Sequence, residues 1–217
     1  MDYTLQSIIR RVQVDKLDDD EFDTGIISNY VNDTQRDIFN QFELSFQEKI
    51  FVGTLPSHVA MFNAPDDLSL LQRAILSGGD RTRDITDMYV PWRNFLDKYP
   101  ASNENEPGDF ENWTSYAGNI ILSRPTEIDQ TLTIYYVRKP KVLALPNDKP
   151  EIPQEFEELL VLGAYIRCLE FNEDFDQADY IKTEYNNMLD MLVSRYGGRL
   201  SPGAVKMANQ QIRMRRR

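Results

Sequence analysis

Apolar residues recur every three or four positions at both ends of this chain and on every second position in its middle, so helical segments bracket a strand-rich centre. Residues 4–13, TLQSIIRRVQ, place Leu5, Ile8, Ile9 and Val12 on one face of a short amphipathic helix. The acidic run KLDDDEFD follows as a loop, and Asp23 or Thr24 can cap the next helix, whose positive dipole end also suits those acids. From Thr24 onward Ile27, Tyr30, Val31, Ile38, Phe42 and Phe46 predict one long helix of about 20 residues. The period then shortens. EKIFVGTLP, HVAMFNAP, LSLLQRAILSGGD and RTRDITDMYVP read as strands, with Gly78-Gly79-Asp80 as a hairpin turn. PWRNFLDKY reads as a helical turn, PASNENEPGD as a polar loop, and AGNIILSRP and QTLTIYYVRKP as two further strands. In the last of these Leu132, Ile134 and Tyr136 alternate with Thr131, Thr133 and Tyr135. Together they predict one antiparallel sheet of roughly four to six strands.

A proline-punctuated connector, KVLALPNDKPEIP, leads to two long amphipathic helices. The first carries Phe156, Leu159, Leu160, Gly163, Ile166 and Leu169 inward; the second, capped by Asp174, carries Ala178, Ile181, Tyr185, Met188, Leu189 and Leu192. Gly197-Gly198 ends the hairpin. The fold class is therefore α+β: N-terminal helices, a central antiparallel β module, and a C-terminal antiparallel helical hairpin followed by an extended arm. Residues 1–48 and 154–198 are expected to form a helical bundle, 49–140 the β module, 141–153 the connector and 199–217 the arm.

Charge sharpens the picture. The chain carries 35 Asp and Glu against 24 Lys and Arg, yet no acid occurs from Arg199 to the end. That segment holds Arg199, Lys206, Arg213, Arg215, Arg216 and Arg217, leaving 18 basic against 35 acidic residues in the rest. Asymmetry of this kind marks a tail that touches something other than its own body. The acidic body repels nucleic acid as a broad surface. No apolar run is long enough to span a bilayer, and the opening MDYTLQSIIRRVQ predicts no secretory signal. The single cysteine fits folding in a reducing cytoplasm.

Catalytic chemistry finds little support. His58 is the only histidine and reads as a turn residue; Cys168 reads as a structural thiol on a helix. Gly78-Gly79 precedes an Asp and a polar strand rather than a helix N-terminus, so it is no phosphate loop. Carboxylate clusters stand at Asp18–Glu21, Asp66-Asp67, Glu155–Glu158 and Glu173-Asp174. A pair roughly 5–10 Å apart could hydrolyse a glycoside, but acids at helix starts also serve as solvated dipole partners. No metal or cofactor is expected. Trp92, Trp113, Tyr116, Tyr135 and Tyr136 belong to the β module, mostly as core, with some suited to protein contact.

The order of these elements, with the quoted TLQSIIRRVQ…LDDDEFDTGIISNYVNDTQRDIF, APDDLSLLQRAIL, NIILSRPTEIDQTLTIYYVRKP and PEIPQEFEELLVLGAYIRCLEFNEDFDQADYIKTEYNNML, resembles the head-to-tail adaptor proteins of tailed bacteriophages. The resemblance implies a structural virion protein of the neck, made in the host cytoplasm. It implies partners in the portal protein, in tail or neck proteins, and in neighbouring copies forming a ring of about twelve. DNA would pass through the channel without sequence-specific binding, and no membrane is involved. Within that frame the basic arm, with Lys206, Arg213, Arg215, Arg216 and Arg217, is the candidate portal-binding segment, and direct DNA contact or an incidental disordered tail are its alternative readings. Asn103, Glu104, Asn105 and Glu106 in the polar loop are candidates for a tail-side contact. A carboxylate-dependent cell-wall hydrolase and a non-viral intracellular helical adaptor are the competing functions.

Overall fold

The structure, a computed structural model, describes residues 3–17, 22–100, 106–197 and 205–206. The chain divides into two compact units, one of residues 1–47 with 139–199 and one of residues 48–138 with 200–217. The first is helical, the second β-rich, and the fold is α+β.

In the helical unit α1 (Leu5–Arg11) opens on a reciprocal cap: the Ser7 amide donates to Thr4 Oγ1 at 3.3 Å and the Thr4 amide to Ser7 Oγ at 3.1 Å. Its last turn widens into π-helical winding over Val12–Lys16. The next helix, α2 (Thr24–Gln41), is capped by Asp23, whose side chain accepts from the Gly25 amide. It buries Ile27, Val31 and Ile38, while Tyr30, Phe42 and Phe46 pack at the margin of the same core.

The hairpin of α4 (Glu157–Phe171) and α5 (Phe175–Tyr196) completes this unit. The stripe read from the sequence understates α4: ten of its fifteen residues are buried, because α1, α2 and α5 all pack around it. Gly163 marks the closest approach of α2; a Cβ there would stand 2.3 Å from Thr34 Cγ2. In α5, Ala178, Leu189 and Leu192 are buried and Ile181, Tyr185 and Met188 lie against the core, as the spacing predicts.

The β unit departs from the single predicted sheet. It contains two. The larger has the order β1 (Glu48–Leu55), β7 (Gln130–Arg138), β3 (Leu68–Gly78), β4 (Arg81–Asp84), antiparallel throughout. The smaller has the order β2 (Met61–Asn63), β6 (Asn119–Leu122), β5 (Trp113–Tyr116). Alternation fixes which face of a strand is buried but not which strand lies beside it, so period alone did not separate them. The predicted alternation itself holds, with Leu132, Ile134 and Tyr136 all buried.

Both sheets contribute to one core: Leu71, Leu76, Leu132 and Ile134 from the larger, Trp113, Ile120 and Leu122 from the smaller. The Trp113 indole N–H is satisfied by the Ile85 carbonyl at 2.6 Å. A short helix, α3 (Trp92–Lys98), packs on β5 with Trp92 stacked on Tyr116 at a ring separation of 4.3 Å. The β3–β4 turn falls at Gly79, as predicted, where φ of +56° favours glycine.

Candidate functional site

The basic arm has one described stretch, and its placement follows from an open sheet edge. β3 is eleven residues long, but β4 pairs only with its Ile75–Gly78 end. The amides and carbonyls further back along that edge remain a template for another strand. Val205 and Lys206 fill part of it as β8, antiparallel and opposite Leu71 and Leu70. Of the predicted arm residues, Lys206 therefore lies on the sheet edge, whereas Arg213, Arg215, Arg216 and Arg217 lie outside the described residues. In the polar loop Asn103, Glu104 and Asn105 also lie outside them, and Glu106 is exposed.

The base of that loop is well fixed. Tyr99 OH sits 2.8 Å from both Glu111 Oε2 and Asn112 Oδ1, and Lys98 Nζ reaches Glu111 at 3.3 Å. The tyrosine hydrogen bond, followed by the lysine, holds the Glu111 carboxyl below the usual range.

The two units differ sharply in charge. The helical unit holds 22 acidic and 11 basic residues, whereas the β unit with the arm holds 13 of each. The net charge of −11 thus resides in the helical unit. Only the five basic arm residues within the second unit bring its own excess of acids to balance.

Several of the clustered carboxylates are engaged in holding elements together. Glu158 accepts from Arg11 and Lys16, Glu157 pairs with Arg11, and these contacts tie α1 to the start of α4. Glu155 receives Arg195 at 2.7 Å and the Tyr196 hydroxyl at 2.5 Å. Asp67 receives the Tyr136 hydroxyl and Lys49 Nζ, each at 2.7 Å. Burial works to raise the Asp67 carboxyl, but those two hydrogen bonds outweigh it and hold the group below its ordinary range. Conversely, burial and then Asp67 push the Tyr136 phenol well above its own. Among the described residues no group of three or more His, Cys, Asp or Glu could hold a metal ion. His58 occupies a left-handed turn position, φ +61°, with its amide donating to the Thr126 carbonyl, and Cys168 is buried in the helical core.

The connecting segment is expected from its prolines, but the way it is held is not. Residues 139–153 pack with the helical unit and are gripped by two side chains of α2. Asn32 spans Leu143, its Nδ2 donating to the carbonyl at 3.0 Å and its Oδ1 accepting the amide at 2.8 Å. Buried Gln35 donates to the Lys141 carbonyl and accepts the Glu151 amide, both at 3.0 Å. Asp148 closes the loop by accepting the Ala144 and Leu145 amides at 2.8 Å each. The Leu145 amide, then Lys141 and the Ala144 amide, lower the Asp148 carboxyl to about 2. Two polar residues one turn apart on a helix read as surface, so no local signal announced this clamp.

Among the described residues no helix is long and apolar enough to cross a membrane. The family model described as SU10 adaptor protein matches residues 3–208, nearly the whole chain, and the chain belongs to this family of phage adaptors. No curated protein matches it.

Proposed function

We propose that the chain assembles as a ring of copies beneath the phage portal, forms part of the DNA channel there, and links head to tail. The observation that carries this reading is the partition of charge, −11 on the helical unit against a basic segment at the chain end. A wall of helices bearing excess carboxylates lets a polyanion slide, because it supplies none of the cations whose phosphate contacts release counterions and cause adhesion. The arm supplies the opposite sign where a lasting contact is wanted. Lys206 lies on β8, so residues 207–217 are the reaching part, and eleven residues span at most about 40 Å. They dock on an acidic groove of the portal and order there. Repetition around the ring turns weak single contacts into a firm one. The polar loop at 103–106 meets the tail-side partner.

Deleting residues 207–217, which spares β8, tests the central step. The shortened protein should give the wild-type circular dichroism spectrum and no longer co-sediment with portal rings. Co-sedimentation equal to that of the full chain would overturn the assignment of the arm.

A further inference from the structure

Among the large apolar side chains that the helical unit exposes, two groups lie on surfaces whose charge excess has opposite sign. The first is the connecting loop. Segments without regular structure usually turn their aliphatic residues inward or move, but this one is clamped by Asn32, Gln35 and Asp148. It is also stitched to α1, whose Leu5 and Gln6 amides donate to the Asp148 and Pro146 carbonyls at 2.8 and 3.0 Å. Within it Leu143 is buried, while Val142 and Leu145 are held outward at 68% and 65% exposure. Around them stand exposed Lys139, Lys141 and Lys149 against two acids of the loop, Asp148 and Glu151. Asp148 pairs with Lys141 at 3.0 Å, which leaves Lys139 and Lys149 as the lysines with no ion pair among the described residues and the loop with a small positive excess.

The second surface is the tip where α4 turns into α5. Phe171, Phe175 and Tyr180 are exposed by 66%, 57% and 77%. The tip is rigid: the Asp174 amide donates back to the Leu169 carbonyl at 2.9 Å, Glu173 adopts φ +62°, and Asp174 caps α5. Phe22 supports the Phe171 ring edge-on at 5.7 Å. Six carboxylates, Glu170, Glu173, Asp174, Asp176, Asp179 and Glu184, fall between positions 170 and 184, against one lysine, Lys182. The loop rests on α1 and α2, and the tip joins α4 to α5, so the two surfaces belong to different elements of one unit.

We infer that the loop of one copy seats on the helical tip of the next. Val142 and Leu145 pack on the exposed aromatic rings, and the lysines around them face the carboxylates of the tip. Exposed apolar residues rimmed by charge mark contact surfaces, and the charge signs select the partner. Loop against loop brings lysines together and tip against tip brings carboxylates together, so both symmetric pairings are disfavoured. Of the pairings these two surfaces allow, the head-to-tail contact remains, and that kind of contact propagates into a ring or a filament rather than stopping at a dimer. Its closure into a ring under a portal rests on the function proposed above; the contact itself does not.

Sedimentation velocity of the full chain up to millimolar concentration tests it, with Leu145→Asp as the loop variant and Tyr180→Ala/Phe175→Ala as the tip variant. All three positions are exposed, and circular dichroism verifies the fold of each variant. The wild type should associate beyond a dimer, and each variant should need about tenfold more protein, or higher, to do so. A one-to-one mixture should halt at dimers, because one intact loop and one intact tip make a single contact. Lys149→Glu should weaken association, and adding Asp176→Lys should restore it. A wild type that stays monomeric, variants that associate like the wild type, or a mixture that grows like the wild type would each overturn the contact. Association through this contact by a protein that ignores portal rings would instead count against the proposed portal docking alone.

Discussion

Replacing Gly163 by alanine probes the tightest joint of the helical unit. In isolation the change favours a helix by about 1 kcal/mol. Here the new methyl would lie 2.3 Å from Thr34 Cγ2, 2.8 Å from Oγ1 and 3.1 Å from Cβ. Rotating Thr34 gives no clean escape, since its hydroxyl donates to the Tyr30 carbonyl at 2.8 Å and the crowded Cβ does not move with χ1. α2 and α4 must shift apart, and overpacking of this kind costs about 1–3 kcal/mol. At a 2.3 Å approach the steric cost falls in the upper part of that range, about 2–3 kcal/mol, and exceeds the propensity gain, so Gly163→Ala should destabilise the protein by about 1–2 kcal/mol in urea unfolding followed by helical circular dichroism. Thr34→Ser removes the offending methyl and keeps the hydroxyl. Combined with Gly163→Ala it should recover about 1 kcal/mol relative to the sum of the single changes. Wild-type or greater stability of Gly163→Ala, or strict additivity in the pair, would refute the argument from close approach.

Three further outcomes are expected. Gln35→Leu strands the Lys141 carbonyl and the Glu151 amide and should cost about 2–3 kcal/mol in the same assay; a loss below about 0.5 kcal/mol would mean the clamp is slack. Folding lowers the Asp148 carboxyl to about 2, so its stabilising effect is full above the unfolded value near 4 and is lost as pH falls from there toward 2; carboxyl-carbon NMR should show it ionised at pH 3, and a midpoint near 4 would contradict the cause assigned. Glu173→Gly relieves a left-handed position and should raise stability by about 0.5–1 kcal/mol in thermal unfolding, whereas a decrease would show that the side chain itself contributes.

The parts of the fold legible in the sequence were those set by local repetition. The Ile27–Val31–Ile38 stripe, the inward face of α5, the alternation along β7 and the caps at Asp23 and Asp174 each follow from period or from one residue beside a helix start. What stayed hidden depends on residues far apart. The hairpin of β5 and β6 turns at Ala117-Gly118, with φ of +49° and +78°, and alanine gives no warning of a left-handed turn. The grip of Asn32 and Gln35 reaches across more than a hundred residues. The position of β8 depends on an edge left open by a short neighbour. The arm was conspicuous by charge alone, whereas the loop and tip surfaces became visible only once exposure could be assigned to particular aliphatic and aromatic residues.

The central claim is that a negatively charged helical collar is fastened by positively charged chain ends, and a single-particle reconstruction of the phage neck measures it directly. The account predicts a closed ring of copies around a duplex-wide opening, the helical units facing the DNA, and density for residues 207–217 lying on the portal. A neck in which the β units line the opening, or in which those residues lie entirely on their own subunit, would contradict it.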